Sequence, residues 1–413
     1  MYDVVIVGAG PTGLWLAGEL RLGGASVVVL ETRPERDENS KALTIHPRTL
    51  EVLDCRGVVE PFLAEGLRIP NGHFGGLPDR MDFSVLDTPY PFTLALPQAR
   101  TEELLQHRAV ELGAVIRRGC RVIGMAPSGV ELAGGEVVAG RYVVGCDGTR
   151  STVREAAGID FPGTDATTWG WLGDVVLDSP PGRGFANVAG PRGGLMVVPL
   201  PGGVHRIVGG DPGGGRRGEL TFDELRTTVR AIAGTDYGMR DPMWLSRFGN
   251  ATRQAAVYRS GAVLLAGDAA HMHFPTGGVG MNVGIQDAHN LGWKLAAVVT
   301  GRADDALLDT YHAERHPVGA DLLRHTRAQT ALMTAYSPEG QALRAVVSGL
   351  IASAPDMSRE LAERLSGLDV AYATGRRVPE QRLPDGGTLF ARLRGGGHVE
   401  TEAGLVRPDG HLA

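Results

Sequence analysis

The stretch Asp3–Gly13, D-V-V-I-V-G-A-G-P-T-G, decides the fold of this 413-residue chain. Its segment Val4–Val7 is a short, apolar, β-branched run of the kind that forms a buried parallel strand. Gly8 permits a tight turn, Gly10 lets the backbone approach a pyrophosphate, and Gly13 lets the next helix pack closely on the strand. The stretch therefore predicts a Rossmann-like βαβ unit that binds a dinucleotide.

The residues that follow complete this pattern. A helix is predicted over roughly Thr12–Leu22, with its positive end toward the phosphates, and a second strand over Ser26–Leu30. That strand ends at Glu31, an acid about 20 residues beyond the glycines that accepts hydrogen bonds from a ribose hydroxyl. A plain glycine turn followed by a surface Glu is the alternative, but the complete strand, turn, helix, strand and acid favour the dinucleotide site.

Two later stretches extend the predicted site. Val263–Ala266 predicts a last buried strand, and Asp268 follows it, where a carboxylate can accept hydrogen bonds from sugar hydroxyls. Pro275–Asn282, P-T-G-G-V-G-M-N, opens the next helix, whose N-terminus stabilises a nearby anion by about 0.3–1 kcal/mol. A plain turn before a core helix is the alternative. With Cys146-Asp147-Gly148 between them, the stretches predict one extended dinucleotide held at both ends, for which FAD fits best.

Composition excludes several classes of function. The net charge of -6 provides no basic surface for nucleic acid. No apolar run approaches the ~18 residues of a membrane span, and the N-terminus has no targeting pattern. The three cysteines have no paired spacing, and His271 and His273 have no third ligand in view, so no disulfide or metal site is indicated. We expect a cytoplasmic protein without metal, nucleic-acid or membrane partners.

The alternation of strand and helix signals predicts the domain organisation. Residues 1–70, 98–160 and 264–340 are expected to form a discontinuous dinucleotide-binding domain. Residues 71–97 and 161–263 contain short strands punctuated by Gly and Pro, which predict an inserted antiparallel sheet that covers a pocket. Residues 341–413 are expected to form C-terminal helices to about Leu365 and then a Gly-rich tail.

Local signals also predict helix ends and one loop. Thr101 is expected to cap a helix that runs to about Leu112, and Thr221 a helix that runs to Ala233. Pro317 is expected to end a helix over Asp305–His316. The glycine cluster at 211–215 is expected to form a loop.

At this point the chain resembles a known family, the single-component (class A) FAD-dependent aromatic hydroxylases of the rifampicin monooxygenase and aromatic polyketide hydroxylase type. The resemblance covers roughly residues 1–340. It rests on G-A-G-P-T-G at 8–13, L-P-Q at 96–98, C-D-G-T-R-S-T-V-R at 146–154, W-L-S-R-F at 244–248, G-D-A-A-H at 267–271, P-T-G-G at 275–278 and D-T-Y-H-A-E-R-H-P at 309–317.

The resemblance implies an FAD site and leaves the catalytic residues unknown. The implied cofactor-binding residues are Gly8, Gly10, Pro11, Thr12, Gly13, Glu31, Thr32, Lys41, Gln98, Val122, Asp147, Asp268, Pro275, Gly278, Gly280, Met281 and Asn282. The Asp147-Gly148 pair is linked in the family to both FAD and NAD(P)H, although a plain turn remains an alternative for Asp147. Lys41 stands where the family often has Arg, so the planar bidentate fork is lost while the charge is kept.

The resemblance also implies the reaction. NADPH or NADH reduces FAD, dioxygen adds to the flavin, and the resulting flavin hydroperoxide hydroxylates a large aromatic substrate, polyketide or ansamycin-like. One dinucleotide fingerprint is present, so the reductant is expected to bind transiently and the protein to be a monomer or homodimer. A flavin dehydrogenase or reductase, a halogenase and a non-catalytic flavin-binding module are the alternatives. The halogenase motif is incomplete, because Leu172-Gly173 follows Trp169-Gly170-Trp171.

Two features of the sequence leave more than one interpretation. Phe74, Phe92, Trp171 and Met196 are candidates for the substrate pocket, although aromatic residues in sheets are more often core. Many members of the family carry a thioredoxin-like C-terminal domain, whereas only a short tail follows Leu365 here. This domain is therefore either truncated or naturally short.

Overall fold

A computed structural model describes residues 1–182, 184–213 and 218–413. In these residues the α-helices are α1 (Pro11–Leu22), α2 (Pro47–Asp54), α3 (Glu60–Glu65), α4 (Gln98–Glu111), α5 (Thr152–Ala156), α6 (Phe222–Ala233), α7 (Gly280–Val299), α8 (Asp309–Met333), α9 (Pro338–Ser353), α10 (Pro355–Ser366) and α11 (Leu389–Leu393).

The described strands pair within six sheets. They are β1 (Tyr2–Val7), β2 (Val27–Glu31), β3 (Thr44–Ile45), β4 (Leu67–Ile69), β5 (Asn71–Gly72), β6 (Met81–Asp82), β7 (Thr93–Ala95), β8 (Val115–Arg118), β9 (Val122–Ala126), β10 (Gly129–Leu132), β11 (Val137–Gly145), β12 (Gly163–Thr164), β13 (Trp169–Leu177), β14 (Ala186–Gly190), β15 (Gly193–Pro199), β16 (Val204–Gly210), β17 (Met239–Gly249), β18 (Thr252–Gln254), β19 (Arg259–Ser260), β20 (Val263–Leu265), β21 (His271–Met272), β22 (Val399–Thr401) and β23 (Gly404–Val406).

The first sheet forms the dinucleotide-type core. Its strand order is β19-β20-β11-β1-β2-β8, and all of these except β19 run parallel. β1 lies in the middle, and Val4, Val5 and Ile6 are fully buried in a core that also contains residues of α1, α7 and the β9–β10 hairpin. The carboxyl ends of β1, β2, β11 and β20 therefore meet at one edge, where ligands of open parallel sheets bind.

A second, antiparallel sheet has the order β14-β15-β16-β13-β17. One face packs on α6 through a buried cluster that includes Val175, Ile207 and Leu225. The other face is joined to the first unit by Arg206, whose guanidinium donates to the main-chain carbonyls of Ser40 and Lys41. The predicted fold class is confirmed: a Rossmann-like unit, a separate antiparallel sheet and C-terminal helices.

Two predicted helix ends are wrong, and one is confirmed. α4 begins at Gln98 with Pro97 as its N-cap, so Thr101 lies buried inside it. α8 continues through Pro317 to Met333; its packing offsets the ~3 kcal/mol that an interior proline costs. Here the carbonyl of His316 accepts a hydrogen bond from Gln254 Nε2 at 2.7 Å. Thr221 caps α6 as predicted, with Oγ1 3.3 Å from the backbone N of Glu224.

The C-terminal tail is packed against the rest of the fold rather than being a loose fragment. β22 and β23 form a hairpin, and Val406 is fully buried against α2 and α11. Arg407 donates two hydrogen bonds to Glu314 of α8, at 2.7 and 2.8 Å. The tail is thus held by a small apolar cluster and by buried charges. The buried charges are a signal that hydrophobic patterning does not reveal. The predicted loop at 211–215 is described as far as Gly213; residues 214 and 215 lie outside the described residues.

Candidate functional site: a dinucleotide groove at the sheet edge

The glycine turn after β1 is packed directly against the end of β11. Gly8 has φ +106°, and a Cβ at this position would lie 2.3 Å from the carbonyl oxygen of Cys146. A Cβ on Gly13 would lie 2.1 Å from the carbonyl oxygen of Gly8. Only glycine fits these two positions, because each would place a side chain inside a neighbouring backbone.

Gly10 differs from these two glycines. Within the described residues no heavy atom lies within 4 Å of a Cβ placed there. Gly10 is also the N-cap residue of α1, and Pro11 follows it as the first helical residue. The space in front of Gly10 therefore lies at a helix N-terminus, a combination that accommodates a phosphate.

The acid at the end of β2 braces the same turn. Glu31 Oε2 accepts a hydrogen bond from the backbone N–H of Ala9 at 2.9 Å, and Oε1 accepts one from Arg33 N at the same distance. Thr32 and Lys41 are exposed nearby on the following segment. Gln98 holds that segment, because its Oε1 accepts the N–H of Ala42 at 2.9 Å.

Asp147 lies directly after β11 and against the glycine turn; its Cα is 3.1 Å from the Cβ position of Gly8. Oδ2 accepts a hydrogen bond from Val153 N at 3.2 Å. Oδ1 is buried and has no partner among the described residues. Burial raises the pKa of Asp147 above its ordinary value. This unsatisfied carboxylate oxygen is available for a donor supplied from the groove.

The second part of the candidate site is the loop Gly267–Ala269 after β20, which is called the flavin clamp below. Gly267 has φ +63°, and a Cβ there would lie 2.7 Å from Thr12 Oγ1, so this loop abuts the start of α1. Asp268 is exposed at the groove. A Cβ on Gly280, the first residue of α7, would come within 4.0 Å of Asp268 Oδ1. A carboxylate and a second helix N-terminus are thus adjacent beside the first turn of α1.

The turn before α7 is held by buried polar contacts. Asn282 Oδ1 accepts the N–H of His46 at 2.8 Å, and its Nδ2 donates to the carbonyls of Thr44 and Gly278 at 3.1 and 3.0 Å. His46 Nε2 lies 2.9 Å from the carbonyl of Gly277. Burial lowers the pKa of His46 to about 4, so the ring is neutral and donates to that carbonyl.

The remaining predicted cofactor residues differ in their exposure. Pro275 is exposed, and Met281 is half-buried beside the core of the first sheet. Val122 is buried in that core, paired with Leu132 across the β9–β10 hairpin. Its side chain serves packing, so any contact with a cofactor would fall to the main chain around it.

The antiparallel sheet separates the predicted substrate residues. Trp171 is 2% exposed among the residues that pack on α6, and its Nε1 donates to Asp211 at 3.1 Å. Met196 lies in register with Val208 and Leu172 on the opposite face. Because side chains alternate between the faces of a strand, Met196 faces the first unit, whereas Trp171 faces away from it and departs from the predicted lining.

The two predicted phenylalanines have different surroundings. Phe74 lines a cavity of about 300 Å³ between α7, α8 and α10. Phe92 packs edge-on against Tyr90 and lies under the guanidinium of Arg68. Sequence reasoning missed Phe248 and Phe274, whose rings are 5.1 Å apart and connect the sheet to the turn before α7. It also missed His46, whose contacts with Asn282 and Gly277 support the turn before α7 and for which no local sequence signal exists.

The described residues fit FAD rather than a mononucleotide. An open, glycine-lined helix N-terminus, a ribose-type acid and a second carboxylate beside another helix N-terminus follow each other along one edge. Among the residues that the structure covers, no three His, Cys, Asp or Glu side chains are grouped to hold a metal. In the same residues no helix is long and apolar enough to cross a bilayer.

Comparison with known proteins identifies the same cofactor. The family model described as FAD binding domain matches residues 1–326. Rifampicin monooxygenase of Streptomyces venezuelae is 42% identical over 460 positions, which cover 100% of this chain and 95% of that protein. The structure of the anhydrotetracycline hydroxylase OxyS from Streptomyces rimosus superposes with a TM-score of 0.90 at 41% identity, covering 100% and 95% of the two chains.

One relative bears the name of a different reaction. Dialkyldecalin synthase of Streptomyces rugosporus is 40% identical over 404 residues, covering 94% of this chain and 84% of that protein. The alignment with rifampicin monooxygenase is longer than this chain, so that relative contains segments that are absent here. The family match, the identities and the superposition together establish that this chain belongs to the class A FAD-dependent aromatic hydroxylases, a family of flavoprotein monooxygenases.

Proposed function

We propose that the protein is an NAD(P)H-consuming monooxygenase that hydroxylates a large, planar aromatic substrate of the polyketide or ansamycin type. The single observation that carries this proposal is the groove along the carboxyl edge of the parallel sheet, which is open in front of Gly10 and bordered by Asp268. A dinucleotide is the ligand whose phosphates and sugar hydroxyls suit the helix N-termini and carboxylates of this groove.

Different residues around the groove bind different parts of FAD. Gly8, Gly10, Pro11, Thr12 and Gly13 receive the pyrophosphate at the N-terminus of α1. Glu31 and Thr32 take the first ribose, while Lys41 and Gln98 border the phosphates. Asp147 lies beside the glycine turn, and Val122 can contribute only main-chain groups. The remaining set, around the start of α7, comprises Asp268, Pro275, Gly278, Gly280, Met281 and Asn282.

The proposed domain division follows from this assignment. Residues 1–70, 98–160 and 264–340 bind FAD, and residues 71–97 and 161–263 bind the substrate. Residues 341–413 support both. Phe74, Met196 and Phe248 are the side chains that we assign to the substrate pocket, since each lies near the turn before α7 or on the sheet face opposite α6.

Bound FAD supplies the redox chemistry, namely electron transfer from NAD(P)H and activation of dioxygen. The protein supplies placement and electrostatics. The N-terminus of α7 stabilises negative charge that develops near Gly280 by up to ~2 kcal/mol in a partly buried site. The buried contacts of Asn282 and His46 fix the turn that carries this helix end, so little reorganisation is needed during turnover.

The sheet face opposite α6 is suited to a flat, apolar substrate. Met196, Val208 and Leu172 lie across three adjacent strands in one row. The names of relatives, rifampicin monooxygenase and anhydrotetracycline hydroxylase, refer to large multi-ring molecules. Both observations support a polycyclic rather than a single-ring substrate.

The test is oxidation of NADPH and of NADH by the FAD-loaded protein with a panel of polycyclic phenols and rifamycins. We expect at least one compound to accelerate both nicotinamide oxidation and oxygen uptake and to gain the mass of one oxygen atom. Acceleration without incorporated oxygen would point to a dehydrogenase or reductase. No acceleration with any panel member would contradict the proposed substrate class.

The relative named dialkyldecalin synthase makes a second outcome worth measuring. A cyclase that uses FAD as a structural element consumes neither NAD(P)H nor oxygen. Conversion of a substrate to an isomer of unchanged mass, with no oxygen uptake, would therefore replace the proposed hydroxylation. The two outcomes are distinguished in one mass spectrum and one oxygen-electrode trace.

A further inference from the structure

A buried charged cluster lies behind the loop that carries Asp268. It consists of Asp287 on α7, His271 on β21 and Arg315 on α8, which are 0%, 0% and 1% exposed. Asp287 Oδ2 lies 2.7 Å from His271 Nε2, and Oδ1 lies 2.7 Å from Arg315 Nε.

The same carboxylate holds the main chain of the clamp. The backbone N–H of Gly267 donates to Asp287 Oδ2 at 3.1 Å. Gly267 has φ +63°, a left-handed conformation that needs support from its surroundings. On the other side of the loop, the carbonyl of Leu265 accepts a hydrogen bond from Tyr311 Oη at 2.8 Å. The loop is therefore fixed from both α7 and α8.

Asp268 depends on this support because its side chain has no hydrogen bond to any described residue. Its carboxylate is exposed and interacts electrostatically with His273, and the backbone of residues 267–269 sets the direction in which this side chain leaves the main chain. Burial by itself would raise the pKa of Asp287, but Arg315 and His271 hold it below its ordinary value. Asp287 is therefore an acceptor at neutral pH, as the Gly267 contact requires.

The cluster continues to the C-terminal tail. Arg315 donates a hydrogen bond from a terminal nitrogen to the hydroxyl of Tyr372 at 3.1 Å. Tyr372 follows α10, and its ring packs on His411 at a centroid distance of 4.3 Å. A continuous set of contacts thus runs from the tail through two helices to the flavin clamp.

We infer that Asp287 is a positioning residue for FAD: it fixes the Gly267-Asp268 loop, and Tyr372 of the tail supports it through Arg315. This inference rests on the proposed role of Asp268 in holding FAD. It assigns to the tail a part in cofactor binding. Charge-assisted hydrogen bonds suit this task, since they are shorter and more strongly oriented than neutral ones.

The experiment measures FAD binding to the flavin-free protein by fluorescence quenching, together with its melting temperature without FAD. Asp287→Asn is expected to raise the Kd for FAD by about tenfold, and Tyr372→Phe by about two- to fivefold, the scale of one lost hydrogen bond. Asp287→Asn is also expected to speed deuterium uptake in residues 266–270. Should Asp287→Asn fail to fold, Tyr372→Phe decides, and an unchanged Kd overturns the inference.

Lys294→Met is the matched control. Lys294 is fully buried on α7, and its Nζ lies 2.7 Å from Glu314 of α8, so it joins the same two helices without contacting the clamp. We expect a lower melting temperature but an unchanged Kd for FAD. If Asp287→Asn behaves like Lys294→Met, the cluster is only structural and the inference is wrong.

A double-mutant cycle separates this inference from the proposed role of Asp268. Asp268→Asn alone should weaken FAD binding; an unchanged Kd would refute the assignment of Asp268 itself. In the Asp268→Asn background, Asp287→Asn should add little, because its effect acts through that carboxylate. Full additivity of the two losses would leave Asp268 assigned and overturn the positioning role of Asp287.

Discussion

Glu31 Oε2 accepts the backbone N–H of Ala9 at 2.9 Å, which joins the end of β2 to the glycine turn after β1. The acid that the sequence assigns to the ribose thus also shapes the phosphate turn before any ligand arrives. Its second oxygen accepts the N–H of Arg33 at 2.9 Å. Both functions depend on a carboxylate rather than on an amide.

Glu31→Gln should therefore weaken FAD binding, with only a small change in the free energy of unfolding of the flavin-free protein. Gln keeps one acceptor oxygen but replaces the other with a donor, which faces the N–H of either Ala9 or Arg33. We expect the Kd for FAD to rise by about tenfold, the scale of one charge-assisted hydrogen bond. Glu35→Gln, on the exposed segment after β2, is the control. Equal Kd values for the two variants would contradict the assignment.

Gly8→Ala and Gly10→Ala should fail in different ways. A Cβ at Gly8 would lie 2.3 Å from a backbone oxygen at φ +106°, so Gly8→Ala should destabilise the fold; the strained backbone alone costs about 1–3 kcal/mol. Gly10 has φ -78° and open space, so Gly10→Ala should leave the melting temperature of the flavin-free protein unchanged. Its added methyl group should instead impair FAD binding. Wild-type affinity in Gly10→Ala would place the pyrophosphate elsewhere.

Stability should fall as the pH drops from 6.5 toward 4, partly because of His46. Burial lowers the pKa of its ring from 6.5 to about 4, so between these values the unfolded chain binds a proton that the folded protein excludes. At ~1.4 kcal/mol per unit of pKa, the loss approaches 3 kcal/mol at the acid end. His46→Gln should flatten this part of the curve in urea unfolding, whereas His107→Gln, at an exposed position of α4, should not.

The buried tail contacts should matter more than the exposed ones. Arg407→Met leaves Glu314 with Lys294 as its only cationic partner among the described residues, beside the amide of Asn290, and breaking a buried pair costs about 3–5 kcal/mol. Arg392 pairs with Asp385 on the surface of the same tail, where both side chains are more than half exposed. Arg392→Met should change the urea midpoint little. Similar midpoints for the two variants would mean that the tail does not stabilise the fold.

Met196 and Trp171 test which sheet face meets the substrate. Met196→Ala should raise KM for an aromatic substrate with little change in stability, since Met196 lies on the face opposite α6. Trp171→Phe should lose the hydrogen bond to Asp211 and about 1 kcal/mol of stability, with KM unchanged. The opposite pattern, KM altered only by Trp171→Phe, would assign the pocket to the other face.

The first half of the site, the glycine turn and its acid, could be predicted from the sequence because its residues lie close together along the chain. The glycines at 8, 10 and 13 and the acid at 31 belong to one βαβ unit, so their spacing alone reports their geometry. The second half, residues 267–282, consists of the flavin clamp and the start of α7, and it is predicted from its own turn and helix-start signals. The glycine turn and the flavin clamp meet at one edge because β1, β11 and β20 run parallel in the sheet.

Other predictions are wrong because contacts with residues distant in sequence outweigh the local sequence signals. Pro317 is a sound stop signal in an isolated helix, yet α8 continues, because its packed environment compensates for the missing backbone bond. Trp171 and Met196 look equally suitable as pocket residues until pairing with β16 assigns them to opposite faces. A strand seen alone reveals its alternation but not which face is covered.

The amino-acid order by itself determined the cofactor class and the parallel core, since glycine conformations and strand-end acids act over a few residues. Only the tertiary structure decided that Asp287, 20 positions from Gly267, supports the flavin clamp, and that the apolar-poor tail is folded. Those outcomes rest on buried charge pairs between distant segments. The strength of such pairs depends on exclusion of water, which exists only once the chain has folded.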